Sequence, residues 1–412
     1  MRLYLFDDAT ADGWRPFALS RPVGELRHGV PLLRERIERW AGTEADGHLT
    51  RPWLARYHEA GAPPAVEPAE LPADEPRLLV SSRLSPALEA SFAPPDGPAV
   101  LEADGAPAGC WLPAGTGTPD REWLARPDAI PGAPALPVQG RLLEAPWELV
   151  ARGPGRIARD VPALAPRSAR RTPDDLPTGV HADGDAGLFL GEGVRIEAGA
   201  CLDLREGPVW LDRGVEVRAG CRLAGPLYAG PGCRLLGGPL EALSAGPVCK
   251  LRGEVGGSIL HGWVNKAHAG HLGHALLGPW VNLGASTVNS DLKNNYGPVR
   301  MGGPGGPVET GLTKMGCLLG DHVKTAIGTL LGTGTVAGTG ANLFGPVRPP
   351  TWVPPFSWGA GPDAGRWREE AFLDTARTVM ARRDVELGAG GRAWLADVWE
   401  EARRRAEEGR GP

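Results

Sequence analysis

Three histidines stand within seven residues in the second half of the chain, in the segment Asn265-Lys266-Ala267-His268-Ala269-Gly270-His271-Leu272-Gly273-His274. An imidazole changes its charge near neutral pH, so a well-placed histidine can accept a proton from an attacking nucleophile. We take His268 as the candidate general base. Its spacing alone also fits a hydrogen-bonded structural histidine at a turn.

His271 and His274 follow at intervals of three residues, a spacing that could hold zinc. No carboxylate or cysteine lies nearby in the sequence to complete such a site. We therefore predict no metal at these histidines.

Lysine and asparagine are confined to the region around these histidines. The chain has 44 lysines and arginines, but only five are lysines, and these and all six asparagines lie between residues 250 and 342. An ammonium is a compact point charge and a carboxamide both donates and accepts hydrogen bonds, so Arg and Asp are poor substitutes. We infer that this window is functional; asparagines at tight turns with positive φ are the alternative. The residues are Lys250, Lys266, Lys293, Lys314, Lys324, Asn265, Asn282, Asn289, Asn294, Asn295 and Asn342.

Composition excludes several classes of protein. Of 412 residues, 60 are glycine and 42 are proline, yet 42% hydrophobic and 23% charged residues are ordinary globular values. The net charge of −5 gives no basic field for nucleic acid, and no apolar run is long enough to span a membrane. The six cysteines show neither a disulfide framework nor a metal-binding spacing. An acidic start without a signal peptide favours a soluble, cytoplasmic protein.

A six-residue repeat begins near residue 179 and is clearest at Ile327-Gly328-Thr329-Leu330-Leu331-Gly332, Thr333-Gly334-Thr335-Val336-Ala337-Gly338 and Thr339-Gly340-Ala341-Asn342-Leu343-Phe344. A small residue after each aliphatic residue at this period is typical of a parallel β-helix built from hexapeptide repeats. The aliphatic side chains would form a continuous inner column, and the small residues would permit the corners. The repeat stops between Ser290 and Met315, which predicts a loop expelled from one corner.

The rest of the chain frames this β-helix. Residues 1–152 alternate short apolar strands with a helical pattern at residues 30–40 and predict an α/β domain. Residues 153–178 carry several prolines without apolar periodicity and predict a linker. The β-helix is expected over 179–346, and residues 347–412 are expected to form a C-terminal helical extension that packs on it.

The histidine segment resembles the acetyltransferase half of the bifunctional enzyme that makes UDP-N-acetylglucosamine from glucosamine 1-phosphate. That family has Lys-Ala-Gly-His four residues before Leu-Gly, then Asn-Ile-Gly-Ala-Gly-Thr, then Asn-Tyr-Asp-Gly. Here His268 lies four residues before Leu272-Gly273, and the later elements read Asn282-Leu283-Gly284-Ala285-Ser286-Thr287 and Asn295-Tyr296-Gly297. The whole chain is similar to an alternative bacterial branch of these GlmU-like enzymes, through Arg21-Pro22-Val23-Gly24-Glu25-Leu26-Arg27-His28-Gly29 and Val353-Pro354-Pro355-Phe356-Ser357-Trp358-Gly359.

The resemblance implies a left-handed β-helix, a homotrimer, and acetyl-CoA in the groove between neighbouring chains. It makes His268 the catalytic base and places Ala285 and Thr325 along the acyl-CoA track. Sugar phosphate would be bound by a larger set of polar residues, namely Lys266, Asn282, Lys293, Asn295 and Tyr296.

The N-terminal domain resembles sugar nucleotidyltransferases, whose first loop holds a triphosphate with backbone donors and fixed cations. Here the loop from Asp7 to Pro22 has one glycine, and Ser81-Ser82-Arg83 stands where that family has a metal-binding Gly-Asp pair. The expected nucleotide-binding residues are Arg15, Arg21 and Arg27. Magnesium would be held by Asp7 and Asp8.

The expected function is sugar-nucleotide biosynthesis, with acetyl transfer from acetyl-CoA to an amino-sugar 1-phosphate and nucleotidyl transfer from a nucleoside triphosphate. The expected ligands are a sugar phosphate, a nucleotide sugar and CoA. Two alternatives remain: a nucleotidyltransferase whose β-helix serves only for trimerisation, and a non-catalytic scaffold that binds a nucleotide sugar.

Overall fold

The computed structural model describes residues 1–408, which fall into two compact units. Unit 1 consists of Met1–Pro146 together with Gly388–Glu401, and unit 2 consists of Trp147–Leu387 together with the residues from Ala402 onward. No helix within residues 1–408 is long and apolar enough to cross a bilayer.

Unit 1 is built on a mixed sheet with strand order β2-β1-β3-β6-β5-β7, in which β1 lies between two parallel neighbours. Strand β6 runs antiparallel to β3 and β5, and β4 and β8 form a separate antiparallel pair. The strands are β1 Arg2–Phe6, β2 Gly47–Leu49, β3 Arg77–Ser81, β4 Leu84–Pro86, β5 Ala99–Ala103, β6 Ala106–Leu112, β7 Ala135–Pro137 and β8 Gly140–Leu142. The helices are α1 Ala9–Asp12, α2 Leu33–Ala41 and α3 Arg121–Ala125.

The central strand β1 is apolar because both faces of the sheet are covered. Leu3 and Leu5 pack in one cluster with Ile37 and Trp40 of α2, and Tyr4 and Phe6 pack in another on the opposite face. Helix α2 ends at Gly42, whose φ of 71° is the left-handed conformation that a glycine cap adopts without strain. Because β2 and β3 are both parallel to β1, the carboxyl ends of these three strands lie together at one edge of the sheet.

Unit 2 is a parallel β-solenoid with three faces, as the hexapeptide repeat predicted. Face 1 contains His181–Asp183, Cys201–Asp203, Cys221–Ala224, Gly238–Glu241, Val255–Gly256 and Leu272–Gly273, followed by the pair Val288–Asn289 and Leu330–Leu331. Face 2 contains Arg170–Arg171, Leu188–Leu190, Val209–Leu211, Leu227–Ala229, Ser244–Ala245, Ile259–Leu260, Leu276–Leu277, Cys317–Leu319, Thr335–Ala337 and Trp352–Val353. Face 3 contains Arg195–Ile196, Glu216–Val217, Arg234–Leu235, Lys250–Leu251, Asn265–Lys266, Asn282–Leu283, Lys324–Thr325, Asn342–Leu343, Ser357–Trp358 and Gly365–Arg366.

In the two-residue strands of face 3 from Arg195–Ile196 to Asn342–Leu343, the first side chain faces outward and the second points into the solenoid. Leu235 is fully buried and stacks between Val217 and Leu251 of the neighbouring coils, whereas Arg234 faces outward and pairs with Glu216 at 3.0 Å. Inward residues from all three faces form one continuous aliphatic core. The coil-to-coil register thus decides which outward side chains are neighbours.

The interruption of the repeat is an excursion from the solenoid. It carries a short antiparallel hairpin, Arg300–Met301 paired with Val308–Glu309, and the chain then returns to face 2 at Cys317. This agrees with the expelled loop that the sequence predicted.

The predicted linker differs from the structure. Residues 153–164 continue a helix, α4 Trp147–Leu164, despite Pro154 and Pro162 inside it. Its buried residues Leu149, Val150, Gly153, Ile157 and Val161 recur at helical spacing and supply the stability that the prolines remove. Residues 147–152, expected in the N-terminal domain, therefore belong to unit 2, and only the residues after Leu164 are irregular or short turns.

The C-terminal extension is helical, as expected, with α5 at Glu369–Ala381 and α6 at Ala389–Glu407. Phe372 of α5 packs against Phe356, with ring centroids 4.9 Å apart. The first part of α6 instead belongs to unit 1, where the Trp394 indole donates to the Ser20 carbonyl at 2.9 Å. Residues 409–412 of the predicted extension lie outside the described residues.

We expect Leu235→Ala to lower the free energy of unfolding by about 2–5 kcal/mol, because it removes a buried side chain from the stacked core. The control Arg234→Ala changes the outward neighbour and should cost less than about 1 kcal/mol. Urea unfolding followed by circular dichroism measures both. Equal losses would contradict the inward and outward alternation.

Candidate functional site

Two histidines on face 1 are paired with carboxylates from neighbouring coils. Glu254 lies one coil before His271, and its Oε1 is 3.2 Å from His271 Nδ1. Asp291 lies one coil after His274, and its Oδ2 is 2.7 Å from His274 Nδ1. Each carboxylate can fix the orientation of the imidazole that it faces.

Asp291 and His271 can come this close together only because residue 273 is a glycine. A Cβ built on Gly273 would lie 2.4 Å from Asp291 Oδ2 and 2.6 Å from His271 Nε2. The hydrogen bond from His274 lowers the pKa of Asp291, so this carboxylate stays charged beside the ring. We call Glu254, His271, Gly273, His274 and Asp291 the imidazole cluster.

The two carboxylates also affect whether His271 and His274 could bind zinc. The sequence has no acid close to His271 and His274 along the chain, whereas the fold brings Asp291 and Glu254 to them. Within residues 1–408, however, no three His, Cys, Asp or Glu side chains converge in a way that could hold a metal ion. The arrangement suits proton transfer.

His268 lies outside the imidazole cluster, on the corner that follows face 3. The side chain is exposed, so the residue is open to a ligand. The pairing of Asn265 with Asn282 and of Asn282 with Lys324 places Ala285 and Ile327 below His268 at the same corner. Ala285 accepts a backbone hydrogen bond from Gly328 at 2.8 Å.

Lys266 and Thr325 do not fit the ligand-binding roles expected of them, because both point inward. Lys266 is 2% exposed, and its ammonium donates to the carbonyls of Arg252 and His268. Burial lowers the pKa of Lys266 to about 8. The Thr325 hydroxyl is 2.8 Å from that of Thr287 and accepts from the Gly284 amide at 3.0 Å. Both residues hold coils together.

The remaining predicted sugar-phosphate residues fall in two places. Asn282 is on the outward row of face 3, where its Oδ1 accepts from Asn265 at 2.7 Å. Lys293 and Asn295 line an open cavity of about 580 Å³ that also includes Arg348, and Tyr296 beside them is 72% exposed. The segment that lines this cavity also carries Asp291 of the imidazole cluster.

In unit 1, Asp7 and Asp8 follow β1 directly and lie at the carboxyl edge of the sheet. Asp7 accepts from the Thr50 hydroxyl at 2.6 Å, Arg51 Nη1 at 3.0 Å, the Val23 amide at 3.1 Å and the Ser82 hydroxyl.

Asp8 also has its carboxylate oxygens engaged. Arg83 donates to it through Nε at 2.9 Å and through Nη2 at 2.8 Å, and the Ser81 hydroxyl donates at 3.1 Å. The Ala11 amide adds a fourth donor at 2.8 Å.

This donor set does not fit the magnesium ion expected at Asp7 and Asp8. Both carboxylates are almost fully buried, and each faces an arginine, Arg51 or Arg83, where a cation would have to bind. Magnesium needs open oxygen ligands and bound water. Ser81-Ser82-Arg83 thus places hydroxyls and a guanidinium where the related enzymes are expected to have a metal-binding Gly-Asp pair.

The three predicted nucleotide-binding arginines also differ from one another. Arg21 is 1% exposed and binds Glu59 at 2.6 Å, and Arg27 is buried and donates to the Val30 carbonyl. Both therefore stabilise the fold. Arg15 is partly exposed on the loop after α1, which leaves it as the accessible member of the set.

A cavity of about 150 Å³ opens at the same edge of the sheet. It is lined by residues following β1 and β2 and by α3, including Asp7, Thr50, Arg51, Trp53 and Arg121. Ligands of open α/β sheets bind at the carboxyl ends of the strands. Arg51 and Arg121 could not be predicted from the sequence, because neither belongs to a recognisable motif.

The imidazole cluster was missed for a different reason. Its two pairs, Glu254 with His271 and His274 with Asp291, are each separated by 17 residues, which is the length of the coils there, as Val255 pairs with Leu272. A search for acids one coil away would have found both. The six-residue repeat alone does not reveal the coil length.

Comparison with known proteins gives a match that covers the first segment of unit 1 and continues through α4 into unit 2. Residues 3–168 match a family of proteins described as "Sugar nucleotidyl transferase". The bifunctional protein GlmU of Methanococcus maripaludis is 32% identical over 74 residues. That match covers 18% of this chain and 18% of the relative.

We expect a pH-dependent difference in stability between the wild type and Lys266→Met. The pKa of Lys266 is about 8 in the fold and 10.5 when unfolded, so between these values the unfolded chain binds more protons. The free energy of unfolding of the wild type should therefore rise with pH across this window relative to the variant.

Urea unfolding at several pH values from 7 to about 10.5 measures this difference. Lys314→Met, at an exposed lysine, is the matched control and should track the wild type. A difference that stays constant with pH would show that Lys266 is not buried in this way.

Proposed function

We propose that this protein is an enzyme of sugar-nucleotide biosynthesis with two activities. Unit 2 transfers an acetyl group from acetyl-CoA to the amine of an amino-sugar 1-phosphate. Unit 1 transfers a nucleotidyl group from a nucleoside triphosphate to the sugar 1-phosphate. The single observation that carries the acetyl transfer is the imidazole cluster on the accessible face 1 of the solenoid.

In the proposed acetyl transfer the acceptor amine attacks the carbonyl carbon of the thioester. An imidazole takes the proton that the amine loses, the C–S bond breaks, and CoA leaves as a thiolate that then takes up a proton. The geometry favours His271, because Glu254 faces its Nδ1, and its Nε2, which lies 3.9 Å from Asp291 Oδ2, is the nitrogen that would accept the proton. His268, exposed at the adjacent corner, is the competing base.

The sugar phosphate and the acyl-CoA would bind at different places in unit 2. The cavity that includes Lys293, Asn295 and Arg348 offers two cations and carboxamides to a sugar phosphate. The small side chain of Ala285 leaves the corner below His268 open to an extended acyl-CoA. The expected trimer, with CoA between neighbours, is supported by exposed apolar side chains near this corner, namely Ile327, Leu330, Phe344, Val347 and Trp358.

The nucleotidyl transfer is proposed for the carboxyl edge of β1 and β2, where the cavity of about 150 Å³ would hold only the phosphates of the triphosphate. The sugar phosphate oxygen would attack the α-phosphorus of the triphosphate, and pyrophosphate would leave. Arg121, whose side chain is exposed at the cavity, would offset the negative charge of the phosphates. No step here depends on a metal at Asp7 or Asp8.

One observation favours a second candidate function for unit 1, a nucleotide-sugar-binding module without turnover. Arg51 and Arg83 occupy the two carboxylates that the related enzymes would use for catalysis. Such a module would bind nucleotide but would release no pyrophosphate when triphosphate and sugar 1-phosphate are added.

We expect His271→Ala to lower the kcat of acetyl transfer about 100-fold or more, because a general base contributes 10²–10⁴-fold. Glu254→Gln should lower kcat about tenfold with little change in KM, since it only misorients the ring. Thiol release from acetyl-CoA with glucosamine 1-phosphate measures both.

The control is His181→Ala, at an exposed histidine on the first strand of face 1, and it should match the wild type. A large loss with His268→Ala and a small one with His271→Ala would assign the base to the corner residue. No thiol release from the wild type would remove the acetyltransferase function.

We expect Arg121→Ala to raise the KM for the nucleoside triphosphate about tenfold, through the loss of one charge-assisted contact. Arg126→Ala, just after α3 and outside the cavity, is the matched control. Pyrophosphate release is the measurement. An unchanged KM would exclude this cavity as the nucleotide site.

A further inference from the structure

A second polar site lies on face 3, away from the imidazole cluster. The outward positions of four successive coils hold Lys250, Asn265, Asn282 and Lys324. The two carboxamides are linked, with Asn265 Nδ2 donating to Asn282 Oδ1 at 2.7 Å. Two ammonium groups thus stand at the ends of a short amide row.

Aromatic residues form one wall beside this row. Trp263 and Trp280 occupy the corner before face 3 in successive coils and stack at 5.0 Å with an interplanar angle of 17°. Their φ angles are 51° and 65°, in the left-handed region that is unfavourable for bulky residues. The same corner has a positive φ in the neighbouring coils, at Gly232, Val248 and His322, so this conformation belongs to the turn of the solenoid and places the two indoles over each other.

The segment at the end of α5 forms the other wall. Val379, Arg382 and Arg383 lie over the amide row, and Arg383 Nη2 donates to Asn265 Oδ1 at 3.3 Å. Together the walls enclose a cavity of about 260 Å³ within unit 2.

The cavity carries positive charge without an acid to balance it. Its lining holds four cations, Lys250, Lys324, Arg382 and Arg383, and no carboxylate. The preceding coil differs in that its cation has an acidic partner. Arg234, the neighbour of Lys250 in the same row, pairs with Glu216 at 3.0 Å.

The pKa values of both lysines in this cavity are lowered. Burial lowers the pKa of Lys324 to about 8, and its ammonium donates only to the carbonyl of His322, at 3.2 Å. Burial and then the charge of Arg383 lower the pKa of Lys250. Like charges gathered in a part-buried cavity repel each other unless an anion binds among them.

We propose that this cavity binds a diphosphate group, either as inorganic pyrophosphate or as part of a nucleoside diphosphate. Four cations match a group that carries two or three negative charges better than they match a single phosphate. The volume is below the roughly 300 Å³ at which pockets for drug-sized ligands begin, so it suits a compact anion. The amide row and the Trp263 edge are placed to contact whatever the diphosphate carries.

The proposal does not depend on the acetyl or nucleotidyl transfer. The cavity shares no residue with the imidazole cluster, with the cavity around Lys293, or with the cavity of unit 1. Loss of either activity in other variants would leave this site intact.

The test is isothermal titration calorimetry of the full chain with phosphate, pyrophosphate, ADP and UDP at constant ionic strength. We expect pyrophosphate or a nucleoside diphosphate to bind about tenfold or more tightly than phosphate. Lys250→Gln and the double variant Arg382→Ala/Arg383→Ala should each weaken this binding about tenfold or more. Tighter binding of ADP or UDP than of pyrophosphate would support a nucleotide source, and equal binding would support the diphosphate alone.

Two controls separate this site from general charge effects and from unit 1. Arg377→Ala removes an exposed arginine of the same helix, and Arg121→Ala alters the cavity of unit 1. Arg377→Ala should retain all of the binding, and Arg121→Ala should retain the component of the binding that the face 3 variants lose. Without ligand, the Arg382→Ala/Arg383→Ala variant should melt at the same or a higher temperature, because like charges are removed.

The proposal is overturned if phosphate binds as tightly as pyrophosphate, or if the cavity variants bind like the wild type. It is also overturned if Arg377→Ala weakens binding as much as they do. Failure of pyrophosphate release by unit 1, with binding to face 3 retained, would count against the proposed function alone.

Discussion

The stacking of one solenoid coil on the next is the constraint on which the polar chemistry of unit 2 depends. Inward side chains must form a continuous apolar column, so the register between coils is fixed wherever that column is filled. Once it is fixed, outward residues 15 to 17 positions apart become neighbours, as Lys250, Asn265 and Asn282 do. The imidazole cluster and the cationic cavity both arise in this way on different faces.

Polar groups that enter the column are satisfied within it. Lys266 replaces an aliphatic residue between Leu251 and Leu283, and Thr325 does so between Leu283 and Leu343. Each bonds to the backbone or a hydroxyl of an adjacent coil, which meets the requirement that a buried polar group find a partner. In unit 1, Arg51 and Arg83 likewise neutralise Asp7 and Asp8 in buried ion pairs.

The sequence was sufficient to predict the architecture because periodicity reports which side chains are buried. The hexapeptide repeat predicted the solenoid, and apolar spacing predicted α2, α5 and α6. The prediction was wrong at α4. Pro154 and Pro162 suggested a linker, but the buried residues between Leu149 and Val161 stabilise a helix there. Motif matching gave Lys266 a ligand-binding role because a motif states residue type and spacing but not whether a strand position faces inward.

The confinement of lysine and asparagine to residues 250–342 has a structural explanation that the motifs alone did not supply. Four of these eleven residues, Lys250, Asn265, Asn282 and Lys324, lie in one outward row and line one cavity, and Lys293 and Asn295 line another. In the coil before Lys250 the same row holds Arg234, which forms a neutral pair with Glu216. A row of ammonium and amide groups without acids stabilises the solenoid less than such ion pairs would. Its cost in repulsion and desolvation is therefore best explained by an anion that the fold is built to receive.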